Sequence, residues 1–93
     1  MAEIYEGSVG IKITIRTNID ISLAKIISIL YKKPNKQTGK WIAILEGTQS
    51  AYYITSESDL SIAGNWFIQL YVEIDNSKLY GSINDFKVAK SVK

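Results

Sequence analysis

The chain has 93 residues, of which 46% are hydrophobic and 22% charged, so one globular domain spanning residues 1–93 is expected and wholesale disorder is not. It contains no cysteine and no histidine, which removes disulfides, thiolate zinc sites, thiol nucleophiles and the commonest general base. Eleven basic residues against nine acidic ones leave a net charge of +2, and Arg16 is the single arginine, so the balance argues against a nucleic-acid partner.

The N-terminal stretch Met1 to Gly7 carries acidic residues where a secretory signal carries basic ones, and no apolar core follows it. No run approaches the roughly 20 apolar residues of a membrane-spanning helix. The expectation is a soluble chain made in the cytoplasm, with no membrane partner.

Sixteen isoleucines, six tyrosines, two tryptophans and two phenylalanines favour strand. Ile11, Ile13 and Ile15 alternate with Lys12, Thr14 and Arg16, the pattern of a strand with one wet face. After a break at Thr17-Asn18, Ile19, Ile21 and Leu23 resume the odd positions. Ser22 to Lys33 fits two readings. Leu23, Ile26, Ile27, Leu30 and Tyr31 match a helical face with Ser22 as its cap; Ile27, Ile29 and Tyr31 equally match one face of a strand. Pro34 ends either element.

Pro34 to Gly39 is turn chemistry. A strand follows with Trp41, Ala43 and Leu45 on one face and Ile42, Ile44 and Glu46 on the other, ending at Gly47. Ala51 to Thr55 is a short strand, and Ser56 to Asp59 a polar loop. Trp66, Ile68, Leu70, Val72 and Ile74 give the clearest alternation. Asp75 to Lys78 reads as a hairpin turn, and Leu79 to Val88 as a last strand with Phe86 and Val88 on one face. Strands recurring every 8–12 residues point to an all-β sandwich or barrel of about seven strands.

Asp59-Leu60-Ser61-Ile62-Ala63-Gly64-Asn65-Trp66 resembles the Asp…Ala-Gly-x-aromatic corner that enters the penultimate strand of immunoglobulin-like sandwiches. Trp66 stands where tyrosine is usual, which puts a tyrosine-corner hydrogen bond in doubt, and no cysteine follows to form an inter-sheet disulfide. From residue 4 to 90 the chain is similar to small tailed-phage structural proteins and to the immunoglobulin-like N-terminal domain of phage baseplate upper proteins. The run is Asp20-Ile21-Ser22-Leu23-Ala24, a strand closing on Tyr31-Lys32-Lys33-Pro34, Gly39-Lys40-Trp41, Tyr52-Tyr53, the corner, and Phe86-Lys87-Val88. The resemblance implies an immunoglobulin-like antiparallel β-sandwich, a strand rather than a helix at Ile26 to Lys33, and no catalytic residues or cofactor. It also implies a virion location in baseplate, tail, neck or capsid surface, and partners among other virion structural proteins, including copies of this chain.

Carboxylates are the remaining acid–base candidates: Glu46, Glu57 and Asp59, set against ordinary loop and edge charges. Ser56, Glu57, Ser58, Asp59 and Asp75 offer oxygen to calcium but lack EF-hand spacing, and Asp59 capping a turn is the plainer reading. Lys32, Lys33, Lys36 and Lys40 make the densest basic patch, read either as a phosphate contact or as solvated turn lysines. With Trp66 to Ile74 facing inward, Phe67 and Tyr71 face out, and by the same alternation Ile26, Leu30, Ile42 and Ile44 do so too. Such an apolar patch over three strands is an expected protein–protein surface, with exposed strand edges also expected to join neighbouring subunits. The alternative is a carbohydrate- or receptor-binding module whose stacking platform is Trp41, Tyr52, Tyr53 and Tyr80.

Overall fold

The computed structural model describes residues 4–92; the acidic start at Met1 to Glu3 and the last residue, Lys93, lie outside the described residues. The order is β1 (Ile4–Tyr5), β2 (Lys12–Arg16), β3 (Ile26–Lys32), β4 (Thr38–Ile42), β5 (Ile44–Glu46), β6 (Ser50–Ile54), β7 (Gly64–Ile74) and β8 (Ser77–Ala89), with no helix among the described residues. A five-stranded sheet, β1-β8-β7-β3-β4, faces a three-stranded sheet, β2-β6-β5, so the protein is an all-β sandwich. All pairings are antiparallel but one: β1 runs parallel to β8, with Ile4 beside Val88 and Tyr5 beside Ala89. Eight strands thus stand where about seven were expected.

The core follows the alternation. Ile13 and Ile15 of β2 and Trp66, Ile68, Leu70 and Val72 of β7 are buried, with Ile29, Trp41, Ala51, Leu60 and Val88 between the sheets. Three expectations need correction. The helix reading of Ser22 to Lys33 fails, because Ile29 is fully buried while Ile26 is exposed, and β3 pairs with β4 and β7 along its length. Ile19 to Leu23 is not a strand either. The Asp20 carboxylate accepts hydrogen bonds from Ser22 N–H and Oγ–H at 2.8 and 2.6 Å, which holds a turn that buries Ile21 and leaves Leu23 84% exposed. The stretch from Trp41 to Glu46 is two strands: at buried Ala43 the chain leaves one sheet and enters the other, with β4 pairing to β3 and β5 to β6.

The corner before β7 anchors one end of the sandwich. Gly64 takes φ +130, and a Cβ there would lie 2.8 Å from the Pro34 ring, so a side chain is excluded by backbone conformation and by close approach together. The Trp66 indole Nε1–H donates to the Ile62 carbonyl at 2.9 Å, bonding back four residues along the corner. Around Trp66 stand Trp41 at 6.2 Å, Phe86 at 6.0 Å and Tyr31 at 5.9 Å between ring centres, and Tyr53 stacks on Trp41 at 4.8 Å. The Lys33 ammonium sits 5.9 Å from the Trp66 ring centre and closes the cluster towards solvent.

β8 divides in two. Between Gln69 and Tyr71 the register to β7 slips, so that Gly81 and Ser82 oppose Leu70 alone: a β-bulge. The Gln69 side-chain Nε2–H donates to the Gly81 carbonyl at 2.9 Å and pins it. Because the pleat gains one residue there, Lys78 and Tyr80 share a face with Ile83 and Asp85.

Candidate interaction surface

The register of the five-stranded sheet places its outer face directly. One row across the strands is Lys40, Leu30, Gln69 and Ile83; the next is Ile42, Ser28, Tyr71 and Tyr80; beyond them lie Lys32 and Phe67 on one side and Ile26 and Glu73 on the other. Phe67, Tyr71, Ile42, Ile26 and Leu30 therefore lie on one face, joined by Ile83 and Tyr80. Ile42 is 78% exposed, Ile83 67% and Phe67 43%, while Leu30 and Tyr71 are half-buried by their neighbours. Ser28 is buried although it lies on the outer face, with the larger Ile42 and Tyr71 as its cross-strand neighbours. Leu30, Phe67 and Ile83, with Lys32, Thr38 and Lys40, line a shallow groove of about 510 Å³.

Ile44 is not part of this patch. It lies in β5, exposed beside Tyr52 on the opposite sheet, because the chain crosses between sheets at Ala43. The face it occupies carries Lys12, Thr14, Arg16 and Glu46, with Lys12 Nζ paired to Glu46 Oε2 at 2.7 Å and set 4.6 Å from the Tyr52 ring centre.

Tyr71 is fixed on its face by two contacts. Its hydroxyl donates to Glu73 at 2.6 Å, and its ring lies 5.0 Å from that of Tyr80. The bond to a carboxylate stabilises the protonated phenol and pushes its pKa up to about 12, so Tyr71 stays neutral over the working pH range.

The other candidate residues have local structural partners. Burial would raise the Asp59 carboxyl, but hydrogen bonds from Ser56 N–H at 2.7 Å, Tyr53 O–H at 2.7 Å and Ser56 O–H at 3.0 Å outweigh it and hold the group below the usual carboxylate range. The same bond, aided by burial, raises the Tyr53 phenol. Asp59 thus fastens the loop before the corner to β6. Glu46 is an exposed ion-pair partner, and Glu57 is exposed in the loop, so each of the three carboxylates has different surroundings. Among the described residues no group of three or more acidic side chains is gathered to hold a metal ion. The stacking platform is dispersed: Trp41 is buried, Tyr53 is stacked on it inside the sandwich, and Tyr52 and Tyr80 lie on opposite outer faces. The basic residues are split likewise. Lys32 and Lys40 point from the outer face of the large sheet, Lys33 covers Trp66, and Lys36 takes the left-handed turn position at φ 71.

Comparison with family models, curated proteins and solved structures finds no match to this chain. The surface must therefore be read from its own chemistry. Among the described residues it gathers no metal-ligand set. It is a broad sheet face in which aliphatic and aromatic side chains alternate with lysine stems and one glutamine. Two contributors, Ile83 and the bulge, escaped the sequence reading. The signal for them is the parity break in β8, where apolar outward positions shift from even (Tyr80) to odd (Ile83) across Gly81.

Proposed function

We propose that this chain is a non-enzymatic structural protein of a phage virion, an immunoglobulin-like domain that assembles with neighbouring subunits through the outer face of its larger sheet. The family reading is supported by the strand arrangement. In immunoglobulin terms β2, β6 and β5 take the B, E and D positions, β3, β7 and β8 take C, F and G, β4 extends that sheet, and β1 lies parallel on G. It is supported also by the corner at Gly64 to Trp66, which sits at the entry to the F-type strand.

The observation that carries the functional reading is the apolar face itself. Phe67, Ile83, Ile42, Tyr80 and Ile26 remain exposed on one contiguous sheet surface after the sandwich has formed. Removing apolar area from water contributes about 25 cal/mol per Å², so such a surface favours association. On a symmetric particle, repetition makes an individually weak contact effective.

The test is to prepare virions from the phage that encodes the chain and to label them with an antibody against it. Particle-bound label is expected, and Phe67→Asp is expected to remove the chain from the particle while its folded spectrum persists. A chain found only outside purified particles would overturn the reading.

A further inference from the structure

The larger sheet has an edge that no strand among the described residues closes. Among those residues β1 pairs with β8 at Val88 and Ala89, and none lies beside the outer edge of β8 from Ser77 to Lys87. In an antiparallel ladder the N–H and C=O of successive residues alternate between the two sides. The Ala89 carbonyl accepts from Glu6 N–H at 2.8 Å on the side away from β7, which sets the phase for the odd positions back to Ile83. The bulge then reverses it, so the outward-pointing backbone groups belong to Lys78, Tyr80, Ile83 and Asp85.

We propose that this edge pairs with the β8 edge of a second copy of the chain across a two-fold axis, joining two five-stranded sheets into one of ten strands. The register follows from the bulge. With the axis between Gly81 and Ser82, Lys78 of each copy meets Asp85 of the other, and Tyr80 meets Ile83. Each pairing joins two residues whose backbone groups point outward and whose side chains share a face. A regular strand approaching this edge falls out of phase at the bulge; a second β8 brings an equal bulge to the same place. The edge thus rejects a generic strand, as exposed edges must, and accepts its own copy. Two opposite-charge pairs and two aromatic–aliphatic pairs, the combinations that stabilise antiparallel neighbours, form at the join.

This inference deepens the assembly reading above and rests on it for a purpose, but its evidence is the edge rather than the face. In the joined sheet the apolar faces of both copies run together through Tyr80 and Ile83, so the surface offered to a further partner doubles.

The test is sedimentation of the full chain with charge exchanges at the join. Wild type is expected to dimerise. Lys78→Asp and Asp85→Lys, each alone, place like charges opposite each other twice and are expected to weaken association at least about tenfold. An equimolar mixture of the two variants is expected to recover wild-type association, because both cross-pairs become opposite in sign. Ile83→Pro removes only an outward N–H, which edge strands tolerate, and is expected to give a folded monomer. A wild-type chain that stays monomeric to millimolar concentration, or single variants that dimerise as wild type does, overturns the proposal. Phe67→Asp separates it from the particle reading: that variant is expected to keep the dimer while losing the particle.

Discussion

The two ends of β8 belong to different kinds of structure. From Phe86 to Ala89 the strand has β7 on one side and β1 begins on the other, Val88 is fully buried, and Phe86 stacks on Trp66. Among the described residues it has a neighbour on one side only from Ser77 to Asp85, and that stretch is exposed on both faces apart from Gly81, which is half-buried. One strand is therefore core at its C-terminal end and unclosed edge at its N-terminal end. β7 pairs with both ends, interrupted only by the bulge, and at the open end the outward backbone groups of Lys78, Tyr80, Ile83 and Asp85 have no strand beside them among the described residues.

The comparison breaks most sharply at the closed end. Trp66→Ala removes a fully buried indole, its hydrogen bond to Ile62 and contacts with three other rings, and is expected to cost about 3–5 kcal/mol, read as a loss of denaturation midpoint. Asp59→Ala removes the acceptor of the half-buried Tyr53 hydroxyl and of the exposed Ser56 amide and is expected to cost about 1 kcal/mol by the same measurement.

The Asp59 carboxyl also sets a pH dependence. Its native pKa lies below its ordinary 3.8, so the stabilisation is fully present above that value and is lost as pH falls through the lower native one. Denaturation midpoints of wild type and Asp59→Asn, measured as a function of pH, should differ by a constant amount above pH 3.8 and draw together as pH falls below it.

At the open end the same measurement should register little. Phe67→Asp and Ile83→Ser replace side chains that are largely exposed, and each is expected to shift stability by under about 1 kcal/mol, the first weakening attachment to the particle and the second weakening the dimer. If either unfolded the chain, the division between closed and open ends would be misplaced.

Much of this was legible in the residues. The alternation of Ile11 to Arg16 and of Trp66 to Ile74 gave both strands and their inward faces, because a one-sided strand leaves a period-two record. The sheet crossing at Ala43 left none. Trp41, Ala43 and Leu45 point to the same interior whichever sheet their strand belongs to, so the pattern runs through the crossing unbroken, and Ile44 was grouped with Ile42 although the two lie on opposite faces. Ile19 and Leu23 kept the right spacing for a strand, but the Asp20 side chain captures the Ser22 amide and turns the chain. The helix alternative for β3 failed for a long-range reason: pairing with β4 and β7 decides that segment, and no local period records it.

The most direct test of the central claim is hydrogen exchange at β8 measured over a range of protein concentration. If the open half is a subunit contact, the outward amides of Lys78, Tyr80, Ile83 and Asp85 should exchange rapidly in dilute solution and become protected as concentration rises, while Val88 is protected throughout. Exchange at those four amides that is independent of concentration, in a chain that remains folded, would contradict the account.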